Sequence, residues 1–264
     1  MPTSRLSLQL YSLRDQLHTD EEGTLARVAE IGLRNVEVFD FVHRPRELAD
    51  ALARHGLAAR TGHAAIAFPD RTPDTLRRTF DAAQVLGLET VFEPMVPAAR
   101  WAEAREIDRT ASLLNEAAAV AADHGLQVGY HNHSQEFTPT IDGVNAYDRF
   151  VERLDAEVGL EVDVYWASAG GRDAVGLLRR LGPRVRALHI KDGAVIDDPH
   201  TSGAPFDITL TRQVPAGQGE IPVAAALAAA PDTAWAVVEF DHYAGDMFEG
   251  VAGSVAYLNE KGIV

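Results

Sequence analysis

The chain contains no cysteine, so disulfides and thiolate catalysis are excluded, and any metal must be held by nitrogen and oxygen donors. Positive charge is scarce: 24 Lys and Arg stand against 39 Asp and Glu, for a formal charge of −15. A surface of that sign repels phosphate backbones and anionic lipids, so neither nucleic acid nor a membrane is an expected partner. No stretch approaches the roughly eighteen uninterrupted apolar residues of a membrane span. The start carries one Arg and alternates Leu6, Leu8 and Leu10, which reads as a strand and not as a signal peptide. A cytoplasmic location is the expectation that fits these absences. No GxGxxG or GxxxxGKS/T loop follows that first strand, which counts against a nucleotide-binding fold. Aromatic residues make up only 7%.

What the chain does have is aliphatic residues in a repeating arrangement. Its 264 residues, 46% of them hydrophobic, match the roughly 250 typical of an eight-unit barrel, so one domain over residues 1–264 is expected. A short phrase recurs: Ile31-Gly32-Leu33, His55-Gly56-Leu57, Leu86-Gly87-Leu88, His124-Gly125-Leu126, Val158-Gly159-Leu160 and Leu181-Gly182-Pro183. Helically spaced apolar residues precede each glycine and a short apolar run follows, so each phrase reads as a left-handed helix stop before a strand. Strands are expected at Leu6–Tyr11, Asn35–Phe39, Ala58–His63, Thr90–Glu93, Gln127–His131, Leu160–Val164, Val185–Ile190 and Trp235–Glu239, with helices between them. Thr72-Pro73-Asp74 supplies one helix start. Eight such α/β units favour a closed parallel sheet, the (β/α)8 TIM barrel. The polar, Gly- and Pro-rich stretch from Asp192 to Ile221 breaks the rhythm and reads as a lid or pocket wall.

Active sites of such barrels lie at the C-terminal strand ends, and here most strands finish in ligands or bases. Glu37 ends the second, His63 the third, Glu93 the fourth, His131 and His133 the fifth, Asp163 the sixth, His189 and Lys191 the seventh, Glu239 and Asp241 the eighth. Gathering that many carboxylates costs several kcal/mol each in desolvation and repulsion, which a divalent cation offsets. The donor set suits one Mn, Co, Mg or Zn ion. For Lys191 an ion pair with Asp192 or Glu161 is the structural alternative, and for Glu37 and Glu93 it is bonding to loop amides. His18, His43, His55, His124 and His200 read as mostly solvated.

The densest polar cluster is Tyr130-His131-Asn132-His133-Ser134-Gln135-Glu136-Phe137. With Asp163-Val164-Tyr165-Trp166, Leu188-His189-Ile190-Lys191-Asp192, Gly217-Gln218-Gly219-Glu220-Ile221 and Val238-Glu239-Phe240-Asp241, it resembles the sugar phosphate isomerase/epimerase family of xylose isomerase-like barrels, in the branch whose fifth strand ends in HNHxxEF. The resemblance covers the whole chain. It implies a metal bound by a strand-five acid and by Asp163, His189 and Glu239. Relatives often have Glu where this chain has His131; Glu136 folding back is the favoured fourth ligand, with His131 as its rival. Glu239 is then the expected base, with Glu136 or His131 as its counterpart. His63, Glu93, His133, Trp166 and Lys191 are expected to bind substrate, Trp166 standing where many relatives have a substrate-holding His.

These readings converge on isomerisation or epimerisation of a small, non-phosphorylated sugar or keto-sugar through an enediolate. Dehydration of an inosose or 3-keto sugar on the same metal site is the first alternative. A sugar-binding barrel without catalysis is the second. An AP-endonuclease-type hydrolase ranks last, since it needs extra histidines and a basic groove. Either a monomer or a homo-oligomer is compatible with the sequence.

Overall fold

The strand–helix alternation closes on itself. The computed structural model describes residues 5–201 and 205–263. Its barrel strands are β1 (Leu6–Gln9), β2 (Asn35–Phe39), β3 (Ala58–His63), β4 (Thr90–Glu93), β5 (Gln127–His131), β6 (Gly159–Asp163), β7 (Val185–Ile190) and β8 (Trp235–Val238). All are parallel, each pairs with its sequence neighbours, and β8 returns to β1 through Leu6↔Ala236 and Leu8↔Val238. Helices of the outer layer fill every interval, from Glu21–Glu30 round to Met247–Glu260.

The expected bounds of β2, β3, β4, β5 and β7 are met, and the other three strands differ for local reasons. β1 stops at Gln9 because Leu10–Leu13 winds into a 3-10 turn whose Tyr11 N–H donates to the Gln9 side chain. β6 ends at Asp163, whose carboxylate accepts the Trp166 N–H and so starts the helix Val164–Ala169. β8 ends at Val238, which leaves Glu239 as the first loop residue. Thr72 caps Pro73–Leu86 in a reciprocal pair with Thr75, and Gly87 ends that helix at φ 74°. Gly159 departs from the expected pattern. It opens β6 instead of closing a helix, and a Cβ there would come within 2.6 Å of Arg186 Cγ. The sequence reading also passed over a small hairpin, Thr140–Ile141 with Val144–Asn145, which turns at Asp142 and Gly143, both at positive φ.

Side chains alternate in and out along each strand, so the barrel interior is stacked in steps of two residues. Phe92, Ala187 and Val237 form a small apolar cluster there. One step further along, His189 and Glu239 follow Ala187 and Val237 on the same face. The strand registers shift at Val36/Glu37 and at Leu160/Glu161, in each case immediately before a glutamate that is fully buried.

Two buried carboxylates shape the mouth. Asp192, just past β7, accepts N–H groups from Gly193, Gly217, Gly219 and Ile221 at 2.8–3.0 Å. It thereby clamps the end of the long polar segment to its beginning, aided by the antiparallel bridge to Val214. Gly219 must lack a Cβ, which would lie 2.2 Å from the Asp192 carboxylate. The segment holds no α-helix among its described residues, and its residues 202–204 lie outside them. Glu93, ending β4, accepts the Ile66 and Ala67 N–H groups, both at 2.7 Å, and so fixes the loop after β3. Burial pushes its pKa up to about 7, against the lowering effect of those amides. Its other oxygen, Oε1, is buried and makes no hydrogen bond of standard geometry.

Asp192→Ala would strand the amides that converge on this carboxylate. A loss on the order of 3 kcal/mol is expected, with Asp192→Asn intermediate because one carbonyl oxygen replaces two acceptors; thermal unfolding in chelator measures both. Glu93 has a folded pKa above its unfolded value, so its contribution is full below about pH 4.5 and is lost as pH rises through about 7. Glu93→Gln should therefore gain stability relative to the native chain by up to roughly 3 kcal/mol between pH 4.5 and 8. A difference that stays flat across that range would mean the carboxyl is ionised when buried.

Candidate active site

Among the residues that the sequence places at strand ends, the structure packs most into one charged lattice inside the barrel mouth. His189, from β7, lies at its centre. Its Nδ1 is 2.6 Å from Glu239 Oε2, and its Nε2 is 2.7 Å from Glu37 Oε1 and 3.2 Å from Glu161 Oε2. His63 bridges Glu161 Oε2 and Glu37 Oε1 at 2.7 and 3.1 Å, and His131 Nδ1 stands 3.1 Å from the same Glu161 oxygen. Gln9 completes this deeper layer by donating to Glu37 Oε1 at 2.8 Å. Lys191, two residues beyond His189, holds Asp163 Oδ2 at 3.1 Å, Glu239 Oε2 at 2.8 Å and Asp241 Oδ2 at 2.9 Å.

Protonation follows from who faces whom. Burial alone would discharge His63, but Glu37 and Glu161 overcome it and raise its pKa to about 10. His189 is likewise held well above its ordinary value, burial being outweighed by Glu161, Glu239 and Glu37. Lys191 stays cationic against burial through Asp163, Asp241 and Glu239. Burial would raise Glu37 and Glu239, yet the neighbouring cations keep both well below the usual carboxylate range. Asp163 behaves differently: burial dominates over Lys191 and His189 and lifts it to about 6. His131 and His133 are pushed well below the usual value by burial and by nearby cations, so both are neutral imidazoles, the form that ligates metals.

A cation site is present in outline. His131, Asp163, His189 and Glu239 each offer a ligand atom, and these atoms lie within 4.8 Å of one another. A deeper set, His63, His131, Glu161 and His189, meets the same spacing. The outer set is the better host, because it brings two carboxylates, whereas the single carboxylate of the deeper set is already shared by three imidazoles. Asp163 Oδ2 is buried and accepts no hydrogen bond, its approach to Lys191 being an ion pair only. An ion with bonds of ~2.1 Å needs ligand atoms ~3 Å apart, so the 2.6 Å contact between His189 and Glu239 would have to open slightly. The residues fit a small divalent cation.

The structure leaves other expected residues elsewhere. Glu136 is not part of either set: its Oε1 accepts the Tyr130 hydroxyl at 2.6 Å and its Oε2 accepts the His133 N–H at 3.1 Å. Burial raises its pKa to about 7, against the lowering effect of Tyr130. It holds the loop that carries His133. Glu93 and Trp166 do not line the main cavity; Trp166 is buried beside His133 and under the long polar segment, touched by His200 and Phe206. His200 is thus partly buried against aromatic rings, contrary to its expected solvation, and burial lowers its pKa. Asp198 anchors that segment by accepting the Ser134 and Thr138 hydroxyls. Lys191 pairs with neither Asp192 nor Glu161. Sequence reasoning missed the central parts played by Glu161 and Gln9 and undervalued Glu37; period-two spacing from Asp163 back to Glu161 was the available signal.

Above the lattice lies a cavity of about 630 Å³, with His63, His131, His133, Glu239 and Asp241 on its polar side. A polar floor with apolar surroundings is the usual form of a small-molecule site. Among the described residues, no helix is long and apolar enough to cross a membrane.

Comparison with known proteins agrees with this architecture. The fold is similar to a sugar phosphate isomerase/epimerase from Parabacteroides distasonis (TM-score 0.82, 22% identity, covering 100% of this chain and 98% of that one). It is also similar to the probable 3-DHS dehydratase AsbF of Bacillus anthracis (0.73, 13%, 97% and 98%). A third similar structure is the IolI protein with a bound zinc atom (0.70, 18%, 98% and 98%). No curated protein matches the sequence. The family profile described as xylose isomerase-like TIM barrel matches residues 25–260, and the chain belongs to that family.

Proposed function

We propose that this chain is a divalent-metal-dependent isomerase or epimerase acting on a small hydroxylated carbonyl compound of the sugar or keto-sugar class. The observation that carries the reading is the convergence of His131, Asp163, His189 and Glu239, of which His131 and Glu239 line the 630 Å³ cavity, with a buried Asp163 oxygen that accepts no hydrogen bond. His131 takes the place of Glu136 as fourth ligand, because Glu136 is committed to Tyr130 and His133. The zinc in the IolI structure, of similar fold, supports a metal of this kind.

A bound dication supplies Lewis-acid charge that favours the enediolate form of a substrate over its ketone. The chain's own residues then handle protons. Glu239 lines the cavity and is ionised, so it is the group placed to take a proton from the carbon beside the carbonyl. Lys191 and His189 hold its carboxylate in position and restrain its basicity. His133 lines the same cavity as a neutral imidazole whose Nδ1 is buried and has no partner, and it is the second group able to give or accept a proton. Lys191, gripped by three carboxylates and outside the cavity lining, keeps positive charge against Asp163 and Glu239.

The similarity in fold to a probable dehydratase supports a second reading, in which the same proton abstraction is followed by expulsion of a β-hydroxyl group as water. Product mass separates the two: unchanged for isomerisation, lower by one water for elimination.

The protein is expected to hold about one equivalent of Mn, Co, Mg or Zn, and Asp163→Asn or His131→Ala to weaken that binding at least tenfold. Screening keto-sugars in deuterated water should give metal-dependent label beside the carbonyl, abolished by chelator. Exchange that survives chelation, or a protein that binds no cation, would overturn the reading. Glu239→Gln reloaded with saturating metal should lose exchange by at least a hundredfold, and retention of exchange would remove Glu239 as the base.

A further inference from the structure

The lining of the cavity is mixed. Beside the histidines and carboxylates, it is walled by Tyr11, Phe39, Phe41, Val42, Pro94 and Met95, contributed by the ends of β1, β2 and β4. Tyr11 and Met95 are 42% and 41% exposed, and Tyr11 meets Phe39 edge to face with centroids 5.3 Å apart. Asp40, His43 and Thr79 are the polar interruptions of this wall. A free monosaccharide needs hydroxyl-binding partners all round, and one aromatic face suffices to stack its ring. Here exposed aromatic and aliphatic surface adjoins the polar groups and exceeds what one stacked ring would use.

Charge narrows the occupant further. Among the described residues, no Lys or Arg lines the cavity, whereas Asp40, Glu239 and Asp241 do. Lys191 is consumed by three carboxylates, and the Arg14 guanidinium, over the Tyr11 ring, donates to the carbonyls of Tyr11 and Asp241. A phosphate group would enter an acidic mouth with no Lys or Arg side chain free to clamp it.

We infer that the natural substrate is an uncharged hydroxy-carbonyl compound bearing an aromatic or comparably bulky apolar substituent, which packs on the Tyr11–Phe39–Met95 wall while the hydroxy-carbonyl end faces His131 and Glu239. The inference rests on the proposed function only for which end of the ligand faces the metal-ligating group. Burial of apolar surface that is otherwise exposed drives the preference.

Three α-hydroxy ketones test it, differing only beyond the shared unit: hydroxyacetone, 2-hydroxyacetophenone and dihydroxyacetone phosphate. Titration calorimetry on protein loaded with Mn should find the phenyl ketone bound at least tenfold more tightly than hydroxyacetone, and the phosphate no more tightly. The double variant Tyr11→Ser, Met95→Glu changes only surface side chains; it should cut the phenyl advantage below threefold and leave hydroxyacetone affinity unchanged. Equal affinities, including undetectable binding of both, overturn the inference, as does tighter binding of the phosphate or a phenyl advantage that survives the double variant. A variant that alters sedimentation while leaving the phenyl advantage intact assigns the wall to a second copy of the chain instead. Repeating the titration on metal-free protein separates the two readings: a phenyl advantage without metal-dependent exchange defeats the proposed function alone, and exchange without the advantage defeats only this inference.

Discussion

Charge withdrawn from water is the constraint around which this barrel is organised. Glu37, Glu161, Asp163 and Glu239 are buried together inside the mouth, and His63, His189 and Lys191 are drawn in to offset them. A filling of aliphatic side chains with the same volume would be as stable or more so, since ion pairs seldom recover their desolvation cost. Stability alone therefore gives no reason for the arrangement, in keeping with the chemistry proposed at the mouth. The same economy explains why the imidazoles differ. His63 and His189, held by two and three carboxylates at 3.2 Å or closer, are cations, whereas His131 and His133, surrounded by cations and buried, remain neutral and able to ligate or to exchange a proton.

The scaffold places these groups by simple periodicity. Phe92, Ala187 and Val237 form an apolar cluster in the interior, on which the polar layers rest. Register shifts before Glu37 and Glu161 let two strands turn their acids inward at neighbouring heights, where His63 can bridge them. Outside the sheet, backbone groups are handled by caps and clamps. Thr72, Asp163 and Asp192 each satisfy amides that helix starts and loops would otherwise leave unpaired.

Much of this was legible in the residues. Strands such as Val185–Ile190 are apolar runs bounded by breakers, and their C-terminal ends announce the site because parallel barrels carry chemistry there. Local signals failed where the answer depended on a partner distant in sequence. Gly159 follows the same phrase as the helix-ending glycines, yet it is small because Arg186 packs over it. Glu136 sits in the motif that looks most like a ligand, but the Tyr130 hydroxyl and the His133 amide claim it first. Lys191 ignores its sequence neighbour Asp192, whose oxygens are occupied by glycine amides twenty-five and twenty-seven residues away. Cross-strand contacts of this type leave no periodic trace, so the partners of Glu161 and Gln9 could be found only in three dimensions.

The clamp at Asp192 separates two jobs that a loop usually combines. Because that carboxylate holds both ends of the polar segment together, and Asp198 ties its first part to Ser134 and Thr138, the stretch beyond Asp198 can lengthen or shorten at little entropic cost, about 0.6 kcal/mol per doubling. Insertions and deletions there would change how His200 and Phe206 cover Trp166 without loosening β7 or the lysine beside it. Divergence in ligand preference among chains built this way can then proceed by loop replacement, with the charged interior inherited intact.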